Sequence, residues 1–320
     1  MVVYTVIVTF NSIKWIDKVI FSLNRSTKQT NLIIVDNGSK DGTLELIQNK
    51  YPYITLIKSK ENLGFSRANN IGIEISLKNK VDYVFLLNHD AWVLEDTIDT
   101  LIKIAIKNKE YGILSPLHLN GKGDKLDENF SNYAGPKFCP NLINDFYLGN
   151  KLKDIYESKF VNAAAWLVSR RCLEKVGGFN PIFQMYGEDD NYVQRLKYHG
   201  FKLGIVPHCK IFHDREARPL SIYKKNDYDN YKRAILLKYS DPNNSKNIFR
   251  ELRSLLLEII KQTMKFNLNK ISIELKKFFF ISKNLNQIKR NQKLSINSQK
   301  TFVKNQVTLD NQISSFFEEN

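Results

Sequence analysis

Four apolar, largely β-branched runs, each separated from the next by a stretch of helical periodicity, limit this chain to an α/β architecture. Residues 2–9 are almost all apolar, as in a parallel strand covered on both faces. A helix follows over about 14–23, and a second strand, LIIVD, ends at Asp36. The turn NGSKDG leads into a helix over 43–49, YITLIKS is a third strand, 65–77 a third helix, and VDYVFLLN a fourth strand ending at Asn88. Strands alternating with helices form βαβ units and a parallel sheet, and such sheets bind ligands beyond the carboxyl ends of their strands. Thr9 and Asn11, Asp36 and Asn37, Glu61 and Asn62, and Asn88, His89 and Asp90 stand there, a polar and acidic set on one edge.

The periodicity then predicts a helix from Ala91 to about Asn108, an irregular segment over 115–159, and an apolar run, FVNAAAWLVS, from Phe160. A short helix at 171–176 leads to GGF and to QMYGEDDNYVQRL, where Glu188, Asp189 and Asp190 stand side by side. A helix N-terminus favours acids through its dipole, and that explanation stands beside a functional one. FKLGIVP and CKIFH read as two short strands, the second ending at His213. From about Asp227 the character changes, and Phe249, Leu252, Leu255, Leu256, Ile259 and Ile260 fall on one face at helical spacing, with Lys and Arg on the other. A second helix is expected over 271–288, and a polar, loosely ordered stretch over the last 25 or so residues.

Charge separates these parts. Between Tyr231 and Lys300 there are 16 Lys and Arg against 4 Asp and Glu, +12 of the net +15. A basic tail suits an anionic membrane surface, an acidic substrate or nucleic acid; no zinc-finger, basic-zipper or ribonucleoprotein pattern accompanies it, so nucleic acid is not expected. Cys139, Cys172 and Cys209 lack disulfide-framework or metal-ligand spacing, which fits a reducing cytoplasm. The N-terminus lacks the pattern of a signal peptide and reads as a strand. No window approaches the roughly 20 apolar residues of a membrane span. The expected location is cytoplasmic; contact of the basic tail with the inner face of the membrane stands beside packing of its helices on the α/β part, on a second subunit or on a partner.

A dinucleotide-binding fold needs G-x-G-x-x-G after its first strand, but the chain reads TFNSIKW there and has no P-loop. A diphosphate must be neutralised another way, and Asp90, directly after a buried strand, offers a hard oxygen ligand for Mg²⁺ or Mn²⁺. A strand-ending turn explains NHD equally.

The segments VTFN, VDNGSKDGT, ENLGFSRANNIGI, FLLNHDAWV, FVNAAAWLVSRRCLEKVGGFN, YGEDDNYVQRLKYHGFKL and a closing IFH, in this order and spacing, resemble glycosyltransferase family 2, nearest its bacterial rhamnosyltransferase-like branch. The resemblance covers about Val2 to Arg233. It implies a GT-A fold: a Rossmann-like, three-layer αβα sandwich around a mostly parallel sheet, here followed by a C-terminal α-helical extension. Residues 1–225 would be the catalytic domain, with a nucleotide-sugar-binding half at 1–110 and an acceptor-binding half at 111–225, and 226–320 a basic amphipathic tail.

By the same resemblance, Thr9, Asn11, Asp36, Asn37, Asn62, Gly64, Arg67, Asn70 and Asn88 bind the nucleotide sugar, and Asp90 and His213 hold a divalent metal, Mg²⁺ or Mn²⁺. Asn88 takes the first acidic position of the family's D-x-D motif. Asp189 matches the general base of an inverting, single-displacement transfer, with Glu188 the second candidate. Trp166, Tyr186 and Gly187 would line the acceptor side, with a place in the core the alternative for the two aromatics. The implied activity moves a sugar, with rhamnose as leading donor, from a nucleotide diphosphate to a glycan or lipid-linked glycan of the cell wall or O-antigen. Galactofuranosyl, galactosyl or N-acetylhexosaminyl transfer is the alternative within the same class. A catalytically inactive glycan-binding or scaffold protein is the alternative outside enzymes.

Overall fold

The computed structural model describes residues 1–183, 186–215, 226–244, 246–297 and 302–303. Among these residues one nine-stranded sheet runs in the order β3-β2-β1-β4-β8-β6-β9-β5, with β7 also on β9. The first four strands, β1 (Val3–Thr9), β2 (Asn31–Asp36), β3 (Thr55–Lys58) and β4 (Tyr83–Asn88), are parallel as the βαβ pattern requires. Their crossover helices are α1 (Ile16–Asn24), α2 (Thr43–Lys50) and α3 (Phe65–Lys78).

Alternation along β1 explains the layering. Val6 faces one core with Ile71 and Ile73 of α3, while Val3 and Ile7 face the other with Ile16, Val19 and Ile20 of α1, because successive strand side chains point to opposite faces. At Gly72 a Cβ would stand 2.3 Å from Val6 Cγ1, so glycine is what lets α3 lie this close to β1.

The second half is mixed. β8 (Ala165–Ser169) is antiparallel to β4 and to β6 (Tyr111–Asn120), and β9 (Lys202–His213) runs parallel to β6. Three sequence expectations change here. The helix predicted from Ala91 begins only as α4 (Thr97–Lys107), after a three-residue strand β5 (Ala91–Val93) on β9. The segment 115–159, read as irregular, holds most of β6, α5 (Glu128–Ala134), α6 (Leu142–Tyr147) and β7 (Tyr156–Ser158). The two predicted strands before His213 are one, whose register shifts between the Val206 and Lys210 pairings; Pro207 lies in that irregularity, where a missing N–H is tolerated.

Helices α7 (Arg170–Val176) and α8 (Glu188–Tyr198) complete the face that α3 covers. Beyond them, α9 (Asp227–Ser240), α10 (Ile248–Met264) and α11 (Leu268–Ile296) gather around a small core of their own, including Ile235, Tyr239, Leu255 and Ile281. The last helix is longer at both ends than the predicted 271–288. The expectation for the final 25 residues falls almost wholly outside the described residues. Among the described residues no helix is long and apolar enough to cross a membrane.

Candidate active site

The four parallel strand ends form the floor of an open cleft of about 640 Å³. Thr9 and Asp36, expected to touch the nucleotide, lie under that floor instead. Asp36 is buried and accepts from the Thr9 hydroxyl at 2.9 Å and from the Ser39 N–H and hydroxyl at 3.0 and 2.6 Å. Its carboxylate is spent on fixing the loop after β2. Asn11, at φ 50°, ties the loop after β1 to the same place: its N–H donates to Ser39 Oγ and its side-chain carbonyl accepts from Lys40 N–H. Asn37 donates to Asn62 Oδ1 at 2.9 Å and accepts from Leu63 N–H, while Asn62 Oδ1 also accepts from Gly64 N–H. Asn11, Asn37, Asn62, Gly64, Asn88 and Asp90 all line the cleft.

Pairing of β5 with β9 sets Ala91 opposite His213, so the residue after β4 meets the end of β9. His213 Nε2 is 3.4 Å from Asp90 Oδ1 and 3.4 Å from Asn88 Nδ2, and both Asp90 and His213 are fully buried. The other ring nitrogen, Nδ1, lies 3.5 Å from Asp127 Oδ2. Asp127 had no sequence role. It is buried, and its Oδ1 caps α5 by accepting from Phe130 N–H at 2.9 Å. Asp90 and His213 give one carboxylate and one imidazole. Among the described residues no group of three or more His, Cys, Asp or Glu is arranged to hold a metal. Two protein ligands with the rest from phosphate oxygens and water is the donor set that Mg²⁺ and Mn²⁺ accept beside a nucleotide.

Across the cleft, the chain turns through Tyr186 (φ 64°) and Gly187 (φ 97°) into α8. The helix start gathers Glu188, Asp189 and Asp190, as its dipole favours; Asp190 is exposed, but Glu188 is buried and Asp189 half-buried, more than a capping role needs. Asp189 Oδ2 accepts from Ala163 N–H at 3.1 Å, while its Oδ1, Glu188 Oε2 and Asn162 Oδ1 are buried with no hydrogen-bond donor among the described residues. Burial drives the carboxyls of Asp189 and Glu188 well above the usual carboxylate range, and Asp189 beside it raises Glu188 further. Buried acceptors without donors are rare in native structures. Three of them on one cleft wall fit a ligand rich in hydroxyl groups.

Other expected residues lie off the cleft. Trp166 is fully buried on β8, stacked on Phe179, so it serves the core rather than an acceptor wall. Asn70 is buried and locked to Phe179, donating to its carbonyl at 2.8 Å and accepting from its N–H at 2.7 Å. Arg67 is exposed on α3 and outside the lining. Conversely, Asn129, Tyr133, Asn162, Arg215 and Arg233 line the cleft without having been singled out. Burial raises the Tyr133 phenol, and so does the nearby Asp189. Arg233 comes from α9, the first helix of the extension, and lies over the Tyr186 ring.

A Rossmann-like half joined through one sheet to a mixed half, with a polar cleft over the strand ends, is the arrangement of GT-A glycosyltransferases. The chain belongs to glycosyltransferase family 2: the model "Glycosyl transferase family 2" matches residues 4–177. It is 25% identical over 237 residues to the N-acetylglucosaminyl-diphospho-decaprenol L-rhamnosyltransferase of Mycobacterium tuberculosis (strain ATCC 25618 / H37Rv), covering 66% of this chain and 75% of that one. To rhamnosyltransferase WbbL of Escherichia coli (strain K12) it is 29% identical over 239 residues, covering 70% and 87%. Among solved structures, GalNAc-T7 with UDP, GalNAc and Mn²⁺ superposes with a TM-score of 0.61 at 16% identity, over 98% of this chain and 57% of that chain. The chain is a glycosyltransferase of the rhamnosyltransferase-like branch, built on the GT-A fold.

Proposed function

We propose that this glycosyltransferase is an inverting enzyme that moves a hexosyl group, with rhamnose the leading candidate, from a nucleoside-diphosphate donor to a lipid-linked glycan in surface polysaccharide synthesis. The names of the M. tuberculosis and E. coli relatives favour the donor and acceptor classes. One observation carries the chemistry: Asp189 is half-buried, with Oδ2 fixed by Ala163 N–H and a buried Oδ1 that has no donor among the described residues, on the cleft that Asp90 also lines.

In this reading the acceptor hydroxyl gives its proton to Asp189 Oδ1 as its oxygen attacks the anomeric carbon, and the nucleoside diphosphate departs from the opposite face. The raised Asp189 carboxyl suits a base working near neutral pH. Glu188 and Asn162 would accept hydrogen bonds from neighbouring hydroxyls. Asn11, Asn37 and Asn62 would shape the nucleotide end. A Mg²⁺ or Mn²⁺ ion held by Asp90 and His213 would supply positive charge to the leaving diphosphate. The test is release of UDP, GDP or dTDP from a panel of nucleotide sugars, with Mn²⁺ or with EDTA, for the parent and Asp90→Ala. Donor-specific release that needs the cation and falls at least a hundredfold in the variant is expected; equal turnover by the variant would remove Asp90 from the site.

Asp127 holds a further expectation. A carboxylate on the far nitrogen of a metal-binding histidine fixes its tautomer and orientation, and losing such a partner costs about 10–100-fold in metal affinity. Asp127→Asn keeps an N-cap for α5, since asparagine caps as well as aspartate, while removing the charge. Calorimetric titration with Mn²⁺ should show at least tenfold weaker binding for Asp127→Asn; unchanged affinity would leave Asp127 as a helix cap alone.

A further inference from the structure

The extension buries one side of its helical hairpin and leaves the other apolar. α9 packs on α10 and α11 through Lys238 and Tyr239, both bound to Glu251, and through Tyr228 OH, which donates to the Lys276 carbonyl at 3.0 Å; Lys277 lies over the Tyr231 ring. With 3.6 residues per turn, Leu256, Ile260 and Met264 stand about half a turn from Glu251 on α10. Leu268, Leu275 and Phe279 stand about half a turn from Lys277 on α11. All six therefore point away from α9, and all six are exposed. At the turn joining the helices Phe266 is 90% exposed. The sequence pattern placed Leu255, Leu256 and Ile260 on one face, but the structure divides them: Leu255 joins the core of the extension, while Leu256 and Ile260 are exposed.

Basic residues accompany this face. Residues 248–283 hold eight Lys and Arg against three acids, and each acid is ion-paired to a lysine: Glu251 to Lys238, Glu258 to Lys261, Glu274 to Lys277. Arg253, Lys265, Lys276 and Lys283 are exposed on the hairpin. A second copy of the same face would bring like charge against like charge. An anionic bilayer offers both what the large apolar side chains require and a counter-charge for the lysines, whose stems can run along the apolar surface with their ammonium groups at the headgroups.

We infer that the α10–α11 face, with Phe266 at its tip, docks the enzyme in the plane of an anionic lipid surface. The face looks away from α9, which carries Arg233 to the cleft lining, so two helix layers, about 20 Å, separate the face from the cleft. The enzyme would thus meet a lipid-linked acceptor at the surface where that acceptor resides. The inference relies on the acceptor reading for its purpose, though its test does not.

The experiment is flotation of the full chain with vesicles of phosphatidylcholine alone or with about 30% phosphatidylglycerol, at low and high salt. The triple variant Ile260→Glu, Met264→Glu, Phe266→Glu changes only exposed positions and should keep its donor turnover in solution. The parent should float with the anionic vesicles and not with the neutral ones, and the variant should bind at least tenfold less. A parent that turns over donor but does not float, or a variant that floats like the parent, overturns the docking surface and leaves the transferase reading standing. A protein that floats but turns over no donor does the reverse. Sedimentation showing a dimer that the variant dissolves would make the face a contact between copies and overturn the inference.

Discussion

Asp189→Asn is expected to lower kcat about 10²–10⁴-fold, the range for removing a general base, and at the same time to stabilise the protein above neutral pH. The two effects share a cause. Burial is the largest influence on the Asp189 carboxyl, lifting it from an ordinary 3.8 to about 7. A group whose pKa is higher in the folded state stabilises the fold below its unfolded pKa, and loses that contribution as pH rises towards the folded value. For Asp189 the loss runs between about pH 4 and pH 7, and beyond it the full cost of an ionised buried carboxylate stands. Asparagine retains an oxygen for Ala163 N–H and never ionises. The two proteins should therefore melt alike near pH 4 and diverge to pH 7. At pH 8 the variant should gain on the order of 2–4 kcal/mol, the upper limit being about 1.4 kcal/mol for each of the roughly three pH units through which burial raises the carboxyl. Thermal melts across that range together with donor turnover decide the matter. A stability gap that does not change with pH, or a variant as active as the parent, would show that burial of the ionised form is not what the site maintains.

That trade-off bears on what the sequence could reveal. Strands covered on both faces announce themselves, because β1, β2 and β4 have no solvent side to mark with polar residues, and their ends locate Asn11, Asn37, Asn88 and Asp90 at once. The second half carries weaker signals. β5 and β7 are three residues each, too short for alternation to show. β6 contains Pro116 and a register shift, and α9 begins with a polar, tyrosine-rich turn that periodicity does not separate from a loop.

The site was legible in the same uneven way. Glu188 and Asp189 drew notice because three adjacent carboxylates are conspicuous in a basic chain. Asp127, Asn129 and Tyr133 come from the segment read as irregular, and they reach His213 or the cleft across many intervening residues of chain. The only local trace was Asp127 three residues before Phe130, an N-cap spacing. Trp166 and Asn70 show the opposite error. Their neighbourhood in sequence marks the site, but their side chains build the wall behind it.

That wall supplies the second large effect. Arg195→Met is expected to destabilise the protein by about 3 kcal/mol and to reduce activity without touching the cleft. Arg195 is fully buried; it donates to the carbonyls of Val176 at 2.7 Å and Gly178 at 2.6 Å and to Asn191 Oδ1 at 3.0 Å. Burial lowers its pKa to about 10, so the guanidinium remains charged at neutral pH. Methionine fills much of the volume but leaves these oxygens without donors, at about 1–3 kcal/mol for each buried one; relief from burying the charge offsets part of the loss. The bonds join α8 to the loop after α7, where Asn70 grips Phe179 and a Cβ on Gly178 would stand 2.3 Å from Asn70 Oδ1. There is no slack to take up a shift, so loosening Arg195 moves the start of α8, and Glu188 and Asp189 with it. Arg195→Lys keeps a charge but reaches fewer of the three oxygens, and should fall between. Urea unfolding at pH 7 measures the order; a methionine variant within about 0.5 kcal/mol of the parent, the spread of ordinary surface substitutions, would mean that the carbonyls find other donors and that α8 is positioned by packing alone.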